Sequence, residues 1–115
     1  MGNRAPPAQR NLDGGPLQVC SRRPQTGAAR NGYCTDEVGD HGRHVVCATV
    51  DDAFLNFTRA RGNDLVTPRG DFPGLQAGDR WCLCAGRYEE ARAAGVKVAF
   101  DRAATNAKAR DYGVR

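Results

Sequence analysis

Isoleucine is absent from this chain, and Ser21 is the only serine among its 115 residues. Serine-hydrolase chemistry is thereby excluded, because Ser21 lacks the Gly-x-Ser-x-Gly elbow that exposes a nucleophilic hydroxyl. No apolar run approaches the ~20 residues needed to span a bilayer, so a membrane partner is not expected. No Cys-x-x-Cys occurs, which removes both the usual redox spacing and the usual zinc knuckle. Asp13-Gly14-Gly15 is not followed by the Lys-Ser/Thr pair or the helix that a phosphate-binding loop requires. Lysine occurs only at Lys97 and Lys108, and the other basic residues are arginine, a skew that fits GC-rich coding and lowers the weight of any single Arg. Met1 to Pro7 holds no apolar stretch of the secretory kind, and Pro6 stands where a myristoylation motif needs Ser or Thr. The expected location is therefore cytoplasmic. In that reducing compartment five cysteines are expected as thiols or ligands rather than disulfides.

A chain of this length makes one domain and buries roughly two-thirds of its unfolded surface, enough to fold without bridges. The net charge of +4 lies wholly in residues 1–33, where five arginines face Asp13 alone; beyond them acids and bases balance. These basic residues are scattered, without the aromatic-laced basic face of a nucleic-acid binder, so nucleic acid is not an expected partner. Residues 1–11 lack periodicity and carry Pro6-Pro7. They are expected to be disordered, with one domain over 12–115.

Leu17–Cys20 could form a short strand, and 24–42 reads as a long ordered loop of the kind that often carries function. His44–Val50 is β-branched and apolar, the best strand candidate. Asp52–Arg61 reads as a helix, with Thr49 or Asp51 as its cap, Phe54 and Phe57 on its core face and Gly62 at its end. A second polar loop, 63–78, precedes a strand from Arg80, then a helix over 87–94 stopped by Gly95. A strand over 96–100 and a weak helix ended by Gly113 follow. This order predicts an α+β two-layer domain: a short mixed sheet, helices on one side and long ordered loops. A three-stranded parallel sheet is the alternative.

The chemistry concentrates around Arg80. Strand alternation puts Trp81, Leu83 and Ala85 on one face and Arg80, Cys82 and Cys84 on the other. Two thiols beside a guanidinium suggest a nucleophilic or redox centre, since a neighbouring cation favours the reactive thiolate. Cys82 and Cys84 are the candidate nucleophiles, Arg80 the thiolate or anion partner and His44 the base. The same pair could ligate a metal, Zn being the candidate. Cys-x-Cys then needs two further ligands; Cys20, Cys34 and His44 are available, and Cys34 and Cys47 complete the set taken here with Cys82 and Cys84. Asp64, Thr67 and Trp81 are candidate ligand-binding residues where the second loop meets this strand. Asp79 reads as a turn former. Against a thiol- or metal-dependent site stands a different class: a non-catalytic small-ligand or protein-binding accessory module whose cysteines pack as small hydrophobes. Whether the chain is an enzyme is open between the two.

Several segments in order, PLQVCS at 16–21, HVVCA at 44–48, GNDLVTP at 62–68 and FPGLQAGDRWCLCA at 72–85, carry a resemblance. With them the chain resembles a small bacterial family catalogued as domain of unknown function number 2237. The resemblance implies a compact α+β fold and no established activity. It also implies a cysteine where Tyr33 stands, a histidine where Asn106 stands and a longer C-terminal segment.

Overall fold

The computed structural model describes residues 8–114, so most of the segment expected to be disordered lies outside the described residues. The packed structure begins before residue 12. The Gln9 side-chain amide donates to the Asp36 carbonyl, and buried Asn11 donates to the carbonyls of Pro16 and Ala103.

The centre is a three-stranded sheet, β1 (Val46–Thr49), β2 (Arg80–Leu83) and β3 (Ala99–Phe100), in the order β2-β1-β3. Helix α1 (Asp52–Ala60) follows β1 and helix α2 (Ala85–Ala93) follows β2. Two 3₁₀ segments, Arg102–Ala104 and Ala107–Tyr112, close the chain. The α+β expectation holds, but the sheet is antiparallel throughout rather than mixed or parallel. The loop after α1 returns the chain to the end of β1 that it left: Gly78 N–H donates to the Val50 carbonyl and Val50 N–H to that of Asp79. With β2 starting opposite Thr49, it can only run back against β1. Leu17–Cys20 makes no strand, its N–H groups going to loop and 3₁₀ carbonyls such as Gly32 and Ala103.

Asp51 is the cap of α1, its carboxylate accepting from Phe54 N–H at 2.8 Å. That satisfies one of the N–H groups a helix start leaves unpaired. α2 begins at Ala85, two residues before the expected start, with Cys84 as its N-cap residue.

Register gives the sheet two chemically different faces. Val46 pairs with Leu83 and Ala48 with Trp81, and these side chains join Phe54, Leu55, Ala91 and Val114 in an aliphatic and aromatic core under the helices. Cys47 pairs with Cys82 and Thr49 with Arg80 on the opposite face. There the cover is the first long loop, and the second core is Cys20, Cys34, Cys47, Cys82 and Ala104.

Candidate functional site: paired disulfides beside a cleft

The sulfur face departs most from the sequence expectation. Cys20 is bridged to Cys47 and Cys34 to Cys82, and Cys84 alone is a thiol. The expectation of thiols is corrected on geometry: Cα separations of 5.7 and 5.3 Å put each loop cysteine within bridging reach of its strand cysteine. Cys47 and Cys82 face each other across the two strands, yet each bonds outward, Cys82 to Cys34 in the covering loop and Cys47 to Cys20 in the segment before it. The two bridges pack together, the Sγ atoms of Cys20, Cys34 and Cys47 lying within 4.8 Å of one another. All four residues are buried; Cys20, at 5% exposed, is the least so.

Hydroxyls and amides hold this cluster in place. Fully buried Thr26 and Thr105 accept, through Oγ1, the N–H groups of Cys82 at 2.8 Å and Cys47 at 3.0 Å. Cys20 N–H donates to the Gly32 carbonyl, and Asn106 Nδ2 donates to the Cys34 carbonyl at 3.1 Å. Asn106, where the family resemblance implies histidine, is thus a support of the Cys34 loop.

Arg80 joins the cluster through a different sulfur from the one expected. Its partner is Cys47, with Nη2 at 3.4 Å from Sγ, while Nε donates to the Cys20 carbonyl at 2.9 Å. Register explains the exchange of partners: Arg80 lies opposite Thr49, so Cys47 is its diagonal neighbour across the strands on the same face. Arg80 also pairs with Asp101 at 2.8 Å, and that hydrogen bond outweighs burial to hold the Asp101 carboxyl below its usual range. The guanidinium therefore joins a carboxylate to a disulfide sulfur.

The structure does not bring Cys84 into the sulfur group. It lies one residue beyond β2 as the N-cap residue of α2, half-buried, where the strand alternation that would have set it beside Cys82 has ended. Cys20 takes its place among the sulfurs. Asp64 and Thr67 make a turn: Asp64 Oδ1 accepts the N–H groups of Val66 and Thr67 at 2.9 and 3.0 Å. With the Thr67 hydroxyl as the leading cause, these bonds lower the Asp64 carboxyl to about 2.

Trp81 and His44 line a cleft of about 630 Å³ between the two long loops, with Cys82 also in its wall. Leu65, Phe72 and Trp81 supply apolar surface, Phe72 meeting Trp81 edge-on at 5.2 Å. The Arg30 guanidinium lies 5.4 Å from the Trp81 ring centre and that of Arg69 5.5 Å from Phe72. On the wall carrying His44, Asp40 Oδ1 meets His44 Nδ1 at 2.7 Å and Oδ2 accepts the His44 backbone N–H at 2.9 Å. Burial pushes the Asp40 carboxyl up, but the His44 hydrogen bonds overcome it and leave the group below its usual value. An ionised carboxylate only accepts, so Nδ1 carries the hydrogen and Nε2 is left without a partner among the described residues. The ring lies on Gly42, where an added Cβ would stand 2.6 Å from His44 Cε1. Sequence reasoning missed Asp40, Arg30, Arg69 and Thr26. Asp40-x3-His44 was the one local signal available for them, since the others reach the site only through loop packing.

A family described as "Uncharacterized protein conserved in bacteria (DUF2237)" matches residues 10–112, nearly the whole described chain. The chain belongs to this family. The matched range spans the segments that carried the resemblance, and the FPGLQAGDRWCLCA stretch supplies Phe72 and Trp81 to the cleft and Arg80 and Cys82 to the sulfur face. No curated protein matches the chain. Among the described residues no helix is long and apolar enough to cross a membrane.

Proposed function

We propose that the sulfur face is a thiol–disulfide redox centre in which Cys20–Cys47 exchanges with partner thiols and Arg80 stabilises the leaving Cys47 thiolate. The observation that carries this reading is the Arg80 guanidinium 3.4 Å from Cys47 Sγ, with Cys34 Sγ inside the same group of sulfurs. Two structural staples need neither a cation on a sulfur nor a neighbouring bridge. A redox pair gains from both, because leaving-group thiolates depart faster when a positive charge stabilises them. In the cytoplasm expected from the sequence, closed bridges of this kind are transient and catalytic or redox-sensing.

The chemistry balances with a dithiol as reductant. Its thiolate attacks Cys20 Sγ, Cys20 being the least buried of the four residues; the Cys20–Cys47 bond breaks and the electron pair leaves on Cys47 beside Arg80. The second thiol of the reductant then closes on its own sulfur, releasing Cys20, and the reductant departs as a disulfide. Cys34–Cys82 opens by a second such round with a second dithiol, whose protons end on the two released cysteine thiols, in the wall of the cleft that Cys82 lines.

The test is alkylation and mass measurement across a series of dithiol redox buffers, with far-ultraviolet circular dichroism recorded alongside. The reading expects one accessible thiol in the oxidised protein and five after reduction, reversibly and without unfolding. Arg80→Gln should slow the first exchange about threefold, the effect of roughly one unit on the thiolate pKa at a Brønsted slope near one half, whereas Asp101→Asn should leave it as fast or faster. Bridges that open only when the chain unfolds would overturn the reading in favour of the accessory module with structural cysteines.

A further inference from the structure

Resting on that redox reading, we infer that the reduced protein is a zinc site: Cys20, Cys34, Cys47 and Cys82 bind one Zn(II) as a tetrathiolate, and oxidation to the two disulfides expels it. The sulfur face gathers four buried cysteines from four separate parts of the chain, with three of their Sγ atoms already within 4.8 Å of one another. The fourth, Cys82 Sγ, is bonded to one of those three. A tetrahedral zinc with Zn–S bonds of about 2.3 Å places its sulfurs about 3.8 Å apart. Once the bridges open, the bonded sulfurs must separate, the unbonded ones among Cys20, Cys34 and Cys47 draw together by up to about an ångström, and Cys82 swings in beside its former partner Cys34 by side-chain rotation. That backbone is fixed: Thr26 and Thr105 hold the strand cysteines, and Gly32 and Asn106 hold the loop cysteines.

The ligand class follows from the donors. Four thiolates without an interleaved imidazole or carboxylate select a soft, tetrahedral ion, and Zn(II) adds no redox chemistry of its own to the exchange. Four thiolates around Zn(II) carry a net charge of −2, and the Arg80 guanidinium at Cys47 offsets part of it. The interconversion balances: two equivalents of dithiol deliver four electrons and four protons to the two bridges, and Zn(II) then displaces the thiol protons. A disulfide oxidant reverses both steps and releases the ion. Cys84, outside the group, takes no part.

The experiment titrates Co(II), then Zn(II), into protein reduced with a non-thiol phosphine under argon, after alkylation of an aliquot has counted its thiols. Expected are one equivalent of Co(II), with the sulfur-to-cobalt charge-transfer and strong visible bands of a tetrahedral thiolate site, its displacement by Zn(II), and release of one Zn(II) on oxidation. Cys84→Ser should keep all of this, and Cys20→Ser and Cys82→Ser should lose the tetrahedral spectrum. If the serine variants fail to fold, the wild-type protein still decides, because Zn(II) should raise the thermal midpoint of the reduced form and leave that of the oxidised form unchanged. Five free thiols on a folded chain that takes up no metal would overturn the zinc site and leave the redox reading standing. Metal retained by Cys20→Ser but lost by Cys84→Ser would overturn this ligand set. Fewer than five thiols in the folded, phosphine-treated protein would show instead that the redox reading itself fails.

Discussion

At Gly74 the backbone has φ +79°, and a Cβ there would collide with the Val66 carbonyl oxygen. This is the Pro-Gly turn that sends the chain toward β2, held by Leu75 N–H donating to the Leu65 carbonyl at 2.8 Å. Gly74→Ala should therefore cost more than the ~1 kcal/mol that a compatible Gly→Ala exchange would gain, read as a lowered urea midpoint with unchanged slope. Thr26 makes a second residue-scale case. Thr26→Val keeps the shape of a fully buried side chain but leaves Cys82 N–H without its acceptor. About 1–3 kcal/mol of destabilisation is expected, and Thr105→Val should behave alike at Cys47, both measured by equilibrium denaturation. Neither threonine could be singled out beforehand, because each acts on a strand at least 56 residues away in sequence.

On the scale of elements, β1 and β2 separate an apolar core from a sulfur core, and alternation along each strand is enough to do so. The Trp81/Leu83 and Arg80/Cys82 faces were legible for that reason. The reading failed at Cys84, where the chain turns into α2 and the two-residue period ends. It failed at Arg80's partner because cross-strand register, which decides diagonal neighbours, is not written in either strand alone. The separation of cores carries its own expectation. A Cys20→Ala, Cys47→Ala variant should still fold, since the helices pack on the opposite face. It should be weaker by about 3.5 kcal/mol, the chain-entropy value for a loop of 27 residues, as a denaturation midpoint would show.

The whole molecule should be acid-sensitive. Asp40, Asp64, Asp101 and Glu89 all hold their carboxyls below ordinary values in the folded state, Asp64 at about 2. Unfolded, these groups would bind protons at higher pH, so their stabilisation is complete above about 4.5 and is lost as pH falls toward 2. A series of thermal midpoints from pH 6 to pH 2 should be flat at first and then drop. Asp64→Asn should shallow the acid limb, having removed the group with the largest window.

From the sequence alone follow the α+β class, the helix α1 with a cap at Thr49 or Asp51 and the two faces of the β2 strand. These are consequences of hydrophobic period and capping chemistry, which act within a few residues. Tertiary structure alone decided the rest. Five cysteines admit many pairings, and which loop sulfur meets which strand sulfur depends on how the first long loop folds across the sheet. The antiparallel direction came from a return loop whose two hydrogen bonds to Val50 set the start of β2. The cleft formed where Arg30 and Arg69, 39 residues apart, met the Trp81–Phe72 pair. Contacts between distant segments are settled by loop closure and packing together, and no local pattern in the chain carries that information.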